Sequence, residues 1–129
     1  MKLQYCLYNS LIFCFLFVIS TDASVAHTAP RFTVEPKDAT IADGKSAKLS
    51  CRAIGNPTPT YGWKRNGVDL VFSSGGNERL LSNGDLLITK FDKSYVGSYK
   101  CVVKVIYSAI SLRIFSRAAQ LKLAGRTYL

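Results

Sequence analysis

Few residues in this chain could carry out chemistry. The sequence has one histidine, His27, and no group of His, Cys, Asp and Glu shows the spacing of metal ligands. A Ser-His-Asp arrangement would have to use His27, which lies close to the predicted start of the mature chain. The carboxylates occur mostly in turn-like segments, where Asp is favoured for backbone reasons: Asp38, Asp43, Asp69, Glu78, Asp85 and Asp92. The sequence therefore predicts a protein that is not an enzyme and that uses no cofactor or metal.

The first residues have the pattern of a secretory signal peptide. Lys2 precedes the apolar run "LIFCFLFVIS" at residues 11–20, and small residues follow at Ala23 and Ala26. The run has about half of the 20 or so apolar residues that a membrane-spanning helix needs. We therefore predict a signal peptide over residues 1–23, cleaved after Ala23 or Ala26, and an extracellular protein. An uncleaved anchor is the alternative.

The remaining candidates for chemistry are the four cysteines of the sequence. Cleavage would remove Cys6 and Cys14 and leave Cys51 and Cys101 in the mature protein. Paired thiols persist in the oxidising compartment that a secreted protein enters. One disulfide between Cys51 and Cys101 is the expectation.

The chain is strongly basic, with a formal net charge of +9. Cleavage leaves this charge unchanged, because it removes one basic residue, Lys2, and one acidic residue, Asp22. Such a surface favours encounters with anionic partners, of which sulfated glycans, acidic proteins and anionic lipid heads suit a secreted protein better than nucleic acid. A surface that is merely well solvated is the alternative. No second apolar run follows Ala26, so no transmembrane segment is expected.

Alternating side chains predict short strands along most of the chain. Ala47, Leu49 and Cys51 alternate with polar residues and are predicted to face inward on one strand. Tyr99 and Cys101 are predicted to face inward on another. The segments "RLL" and "LLITK", joined by "SNGD", predict a hairpin, and a change of parity near the end predicts a bulge within residues 115–118. With about eight short strands joined by turn signals, the sequence predicts an all-β sandwich of two sheets.

Four residues have the order and spacing of one particular sandwich. Trp63 follows Cys51 by twelve residues on an inward strand face, and Tyr99 precedes Cys101 by two. Packed sheets lie about 10 Å apart, so an inter-sheet disulfide with the indole against it would fit, and the Tyr99 hydroxyl could bond back to the preceding turn. The sequence resembles the immunoglobulin superfamily over residues 30–124, leaving a short tail at 125–129. Within it, "GNPTPTYGWKRNG" resembles the intermediate set of neural cell-adhesion proteins such as contactins, neuroglian-like proteins and Dscam-like receptors.

Two departures from this resemblance are informative. The family usually has Asp six residues before the second cysteine, paired with an Arg, whereas this chain has Tyr95 there. We therefore predict that the matching Arg79 turns to solvent or meets Asp92, since an unpaired buried Arg would be costly. The second departure is a long apolar segment at residues 102–115. It is interpreted as a hairpin that packs locally, as a protruding edge that pairs with another chain, or as an imperfect gene model.

The resemblance implies a recognition module, and the lysines indicate where it would bind. Lys64, Lys100 and Lys104 are expected on neighbouring strands of one sheet, and with Tyr107 they form the preferred contact surface; a solvated strand face is the alternative. One hypothesis is cell-cell adhesion or axon guidance through like or related immunoglobulin domains, as a fragment or short isoform of a longer receptor. The other is a free secreted protein that binds heparan sulfate or an acidic ligand. The signal peptide argues against a muscle-type structural role.

Overall fold

The computed structural model describes residues 27–125, so the predicted signal peptide and most of the predicted tail lie outside the described residues. The described part contains eleven strands and a short 3-10 helix, Lys93–Tyr95. The strands are β1 (Thr28–Val34), β2 (Ala39–Ile41), β3 (Ala47–Leu49), β4 (Arg52–Asn56), β5 (Thr60–Arg65), β6 (Val68–Asp69), β7 (Glu78–Leu80), β8 (Leu86–Ile88), β9 (Gly97–Tyr107), β10 (Ile110–Phe115) and β11 (Ala119–Leu123). The predicted all-β sandwich is confirmed.

The larger sheet is built around β9, the longest strand. Its strand order is β2-β11-β9-β5-β6, and β10 also pairs with β9. One side of β9 pairs with β5, while the other side pairs first with β11 and then with β10. Every strand that surrounds β9 is antiparallel to it, so the register of β9 decides which side chains of its neighbours lie side by side.

The predicted bulge lies between β10 and β11. Phe115 is opposite Val102 and Ala119 is opposite Tyr99, so one extra residue stands on the side of β10 and β11. The buried Ser116 fills this gap: its N–H donates to the Cys101 carbonyl at 2.9 Å, and its Oγ accepts from the Cys101 N–H at 2.9 Å. The change of parity seen in the sequence is therefore accommodated with both backbone groups of Cys101 hydrogen-bonded.

The opposite layer consists of two smaller sheets, β1-β4 and β3-β8-β7, linked through the chain between β3 and β4. β7 and β8 are the predicted hairpin. The first strand is interrupted around Pro36, as its composition indicates, and the chain then changes layers. β1 pairs with β4, whereas β2 runs parallel to β11 in the larger sheet.

The core lies between the two layers, around the Cys51–Cys101 disulfide, which is confirmed. Both half-cystines are fully buried, and Trp63, which is opposite Cys101 in the sheet register, is 1% exposed. The bond closes a separation of 50 residues, which in the loop-entropy account destabilises the unfolded chain by roughly 4 kcal/mol. The indole Nε1 of Trp63 donates to the Gly84 carbonyl at 2.9 Å, so the turn between β7 and β8 is held against the core.

That turn supplies a buried carboxylate. Asp85 is 1% exposed and accepts a hydrogen bond from the Cys51 N–H at 3.2 Å, while the Arg52 guanidinium forms an ion pair with it. Gly84 is required beside it, because its φ is +100° and a Cβ there would come within 2.8 Å of the Tyr61 ring. The turn predicted from "SNGD" is therefore part of the core.

Tyr99 fastens the end of β9 to the preceding 3-10 helix. Its hydroxyl donates to the Tyr95 carbonyl at 2.6 Å, which is the hydrogen bond of a tyrosine corner. Asp92 caps the helix by accepting from the Ser94 N–H at 2.7 Å. Burial raises the pKa of the Tyr99 hydroxyl above its ordinary value of 10.0.

Another strand supplies the ion pair that Tyr95, at the position where the family usually has Asp, does not form. Arg79 is exposed and its Nε donates to the Gly76 carbonyl at 3.3 Å, so the prediction that it turns to solvent is confirmed. Arg65 of β5 instead reaches across to Glu78 of β7 with an Nη1 to Oε2 distance of 2.5 Å. The Arg65 guanidinium also lies 5.5 Å from the centre of the Tyr95 ring. The ionic link between the layers is therefore carried by Arg65 and Glu78.

Tyr99→Phe should lower stability and change its dependence on pH. Losing the hydrogen bond to Tyr95 should lower the free energy of unfolding by about 1 kcal/mol near neutral pH. Because burial raises the pKa in the folded state, the neutral hydroxyl contributes stability below the unfolded pKa of about 10, and this contribution is lost as pH rises through the folded pKa. The wild-type protein should therefore lose more stability above pH 10 than Tyr99→Phe in urea titrations. Tyr107→Phe is the control, because it removes a tyrosine hydroxyl near the surface that donates to the Thr28 carbonyl at a longer 3.3 Å. A wild-type pH slope retained by Tyr99→Phe would contradict the assignment.

Asp85→Ala should destabilise the domain more than its turn-like sequence suggests. The change leaves the buried Cys51 N–H without its acceptor and Arg52 without its carboxylate, so the free energy of unfolding should fall by about 2–3 kcal/mol. The matched control is Asp43→Ala, which removes the same charge from an exposed turn and should change stability by less than about 0.5 kcal/mol. Denaturation under oxidising conditions compares the two variants. Equal losses would show that the Asp85 contacts contribute nothing.

Candidate binding face

The outward side chains of β5, β9 and β10 form the candidate site. Lys64 is opposite Lys100 across the β5–β9 pair, and Arg113 is opposite Lys104 across the β9–β10 pair. Residues directly opposite one another in an antiparallel pair point to the same face, with Cβ atoms about 5 Å apart. The structure thus places the three predicted lysines on one face and adds an arginine to them.

An apolar row separates the two pairs of cations. Gly62, Val102 and Phe115 are aligned across β5, β9 and β10. Val102 is 8% exposed although it points away from the core of the sandwich, and Phe115 is 48% exposed. We call the surface formed by Lys64, Lys100, Lys104, Arg113 and Phe115 the basic face.

Two shallow depressions lie on either side of this row. The larger, of about 520 Å³, is lined by Lys64, Lys100 and Phe115 together with residues of the Asn66 turn. The smaller, of about 280 Å³, lies beside Gly62, where a Cβ would meet nothing within 4 Å, and it is lined by Lys104 and Arg113. The surface offers exposed apolar area with cations at both ends.

Asp69 is the one acid among the described residues that line these depressions. Its Oδ1 lies 2.8 Å from Lys64 Nζ. The hydrogen bond and charge of Lys64 hold the pKa of this carboxyl below its ordinary value, and the charge of Arg113 adds to the effect. Lys100, Lys104 and Arg113 have no acidic partner within salt-bridge distance among residues 27–125, so most of the positive charge of the face is uncompensated.

Tyr107 lies apart from the basic face. Its hydroxyl donates to the Thr28 carbonyl at 3.3 Å, and its ring meets His27 edge-on with ring centres 5.1 Å apart. Because side chains alternate along a strand, Tyr107 points to the side of β9 opposite to Lys100 and Lys104. The structure therefore brings the three predicted lysines together and leaves Tyr107 against the first strand.

Sequence reasoning did not single out Arg113 and Phe115. Their outward position follows from the register of the β9–β10 hairpin, in which every residue from Ile110 to Phe115 pairs with one from Tyr107 back to Val102. The alternation of Ile110, Leu112 and Ile114 in the sequence was the available signal, because it assigns Arg113 and Phe115, at the intervening and following positions, to the outer face.

Two acidic side chains outside the basic face have structural roles. Glu35 and Asp38 accept hydrogen bonds from the backbone N–H groups of Arg117 and Gln120, at 2.7 and 2.8 Å. Between residues 27 and 125, no three His, Cys, Asp or Glu side chains come together in a way that could hold a metal ion. The basic face can attract anions and flat apolar groups, but it holds no nucleophile beside a general base.

No helix within the described range is long and apolar enough to cross a membrane.

Comparisons with known proteins agree with this architecture. The immunoglobulin domain family matches residues 29–104, more than half of the chain. A peroxidasin homologue of Homo sapiens is 34% identical over 96 residues, which cover 70% of this chain and 6% of that protein. Neogenin of Mus musculus is 37% identical over 112 residues, covering 82% of this chain and 7% of that protein. The chain therefore spans only a small part of the length of these relatives.

Among solved structures, the N-terminal Ig1-2 module of the Drosophila receptor protein tyrosine phosphatase DLAR aligns with a TM-score of 0.65 at 28% identity. The alignment covers 80% of this chain and 50% of that one. The chain belongs to the immunoglobulin superfamily, and its domain is homologous to those of cell-adhesion and guidance proteins.

Proposed function

We propose that this domain is a non-enzymatic extracellular recognition module of the cell-adhesion or guidance type, and that it binds an acidic protein surface through the basic face. The observation that carries the proposal is the apolar row of Gly62, Val102 and Phe115 between two cross-strand pairs of cations. In this proposal the protein is secreted, or it lies at the cell surface as part of a longer anchored receptor. The much greater length of the relatives supports the second arrangement.

The arrangement of the basic face is suited to a protein contact. Protein interfaces combine a desolvated apolar centre with a polar rim, and a few central aromatic or arginine residues carry most of their binding energy. Phe115 is the exposed aromatic residue at the centre, and Arg113 lies next to it on the same strand. The lysines would form the rim, where charges mainly steer encounter and select the partner.

The charge of the face argues against contact with a second copy of the chain through the same surface. A two-fold symmetric contact places identical patches against each other, which would here oppose two sets of uncompensated cations. A related immunoglobulin domain with an acidic face is the better match. We therefore propose heterophilic binding.

A sulfated glycan such as heparan sulfate is the second candidate, in a protein that acts as a free soluble factor. The specific observation in its favour is that like charges stand directly opposite one another twice, at Lys64 with Lys100 and at Lys104 with Arg113. Such pairs destabilise a sheet, and a polyanion laid across them would relieve the repulsion. Binding of this kind releases counterions and falls steeply with salt.

The repulsion between Lys104 and Arg113 can be measured through the free energy of unfolding. Lys104→Glu turns the like-charge pair with Arg113 into an opposite-charge pair, so it should raise the free energy of unfolding by roughly 0.5 kcal/mol at low salt. The gain should shrink at high salt, where surface charges are screened. Lys48→Glu, an exposed change opposite Leu87 on another sheet, is the matched control. If the two variants had equal stabilities at low salt, the basic face would carry no repulsion.

Adhesion to cells distinguishes the two candidates. Beads coated with the domain should bind cultured neural cells, and this binding should survive heparinase treatment and moderate salt if the partner is a protein. Phe115→Ala should weaken such binding by at least about tenfold, because it removes the apolar anchor. Binding that heparinase abolishes, that salt disrupts steeply and that does not need Phe115 would favour the glycan.

A charge-reversal variant tests whether either partner uses the basic face. It changes Lys64 and Lys100 to Glu together, and its matched control changes Lys48 and Lys122, which lie outside the basic face, in the same way. Reversal on the basic face should weaken binding to cells and retention on immobilised heparin. If cell binding were unchanged by reversal of Lys64 and Lys100 and by Phe115→Ala, the basic face would not be the contact surface.

A further inference from the structure

Within the part of the chain that the structure describes, the side of β10 that faces away from β9 is an uncovered strand edge. β10 pairs with β9 over its whole length, from Ile110 to Phe115, and among residues 27–125 no strand pairs with its other side. The same edge of the sheet is covered further along, where β2 pairs with β11 between Leu121 and Leu123. A strand of six residues, about 20 Å long, thus presents unpaired backbone groups beyond the end of β2.

The side chains around this edge are apolar on both faces. On the side that faces the core elsewhere in the sheet, Ile110 is 67% exposed and Leu112 is 39% exposed. On the outer face, Ile106 is 55% exposed and Phe115 is 48% exposed. The segment at residues 102–115 forms a regular antiparallel hairpin, but part of its apolar surface finds no partner within the described chain.

Native proteins usually protect edge strands by shortening them or by placing Pro, bulges or several charges along them. β10 has no Pro and no bulge within its six residues, and Arg113 is its one charged residue. Its turn is tight, with Ser108 in the left-handed region at a φ of 47°, so the two strands remain paired up to their ends. This edge has the features of a template for an added strand.

We infer that the outer edge of β10 binds an extended segment of another protein by strand addition, and that acidic and apolar side chains alternate along this segment. Backbone hydrogen bonds would supply affinity, and alternate side chains would supply specificity. On one face an added strand would lie beside Arg113, with Lys104 one strand further away on β9, and both cations attract carboxylates. On the other face it lies beside Ile110 and Leu112, which favour aliphatic side chains.

A second copy of this chain fits the edge less well. Antiparallel pairing of two β10 strands would place both Arg113 side chains and both neighbouring Lys104 side chains on one face. It would also bring together two chains that each have a formal net charge of +9. An acidic segment removes this repulsion and uses the same backbone groups.

The test uses a synthetic peptide of alternating Glu and Val, matched in length to β10, added to the 15N-labelled domain. Hydrogen exchange of the β10 amides that point away from β9 should slow by at least about tenfold at saturation, because these amides gain acceptors. A peptide N-methylated at every residue has no N–H donor on either edge and cannot form the full backbone ladder, so its affinity should be at least about tenfold lower. Leu112→Lys and Arg113→Glu should each weaken binding of the unmodified peptide, whereas Lys48→Glu, on another sheet, should not.

Several results would overturn the inference. Equal affinity of the N-methylated peptide would mean that the peptide binds through charge alone, and equal affinity of a Lys and Val peptide would remove the acidic preference. Absence of binding would contradict strand addition, and protection of β10 that grows with protein concentration without peptide would assign the edge to a second copy. The inference does not require the proposed adhesion function. Reversal of Lys64 and Lys100 in the cell-binding assay tests that function, whereas the N-methylated peptide tests strand addition, so the two proposals can fail separately.

Discussion

The bond between Cys51 and Cys101 decides the orientation of the strand on which the rest of the molecule depends. It fastens β9 to the opposite layer at a point where Trp63 is its neighbour in the larger sheet. With Cys101 directed inward, alternation directs Val103 and Val105 into the core. The same alternation turns Lys100, Val102 and Lys104 outward, so the candidate binding face is a direct consequence of the disulfide register.

The edges of the sandwich are held by polar contacts that differ from the expected ones. Arg65 contacts Glu78 across the layers and lies over the Tyr95 ring, while Tyr99 is bonded to the Tyr95 backbone. Tyr95 therefore contributes its ring and its carbonyl where an acidic side chain was expected. Because Arg65 is the next residue along β5 from Lys64, this arrangement also directs one cation inward to the layer contact and leaves the other on the binding face.

Local patterns in the sequence were sufficient to predict which residues form the core. They were insufficient to predict which residues stand opposite one another on neighbouring strands. Alternation predicts that Cys101 points inward and Lys100 outward, and it also predicts the bulge near Ser116. It does not reveal that Arg113 stands opposite Lys104, because that depends on the turn at Ser108 and on the position of the bulge. Asp85 illustrates the converse difficulty. Its neighbours indicate an exposed turn, but that turn is drawn into the core by hydrogen bonds from residues distant in sequence.

The positive charge of the chain affects which strands can pair with the exposed edge of β10. An exposed apolar edge strand is prone to pair with copies of itself, and this tendency is opposed when the copies repel one another. Arg113 is where the two properties meet, since it lies on the edge strand and also belongs to the basic face. In a neutral chain with the same hairpin, charge repulsion would not disfavour pairing of the edge with a second copy relative to pairing with a partner. In this chain the net charge of +9 penalises self-pairing and favours an acidic partner, so the charge that keeps copies apart is also the property that would select what binds.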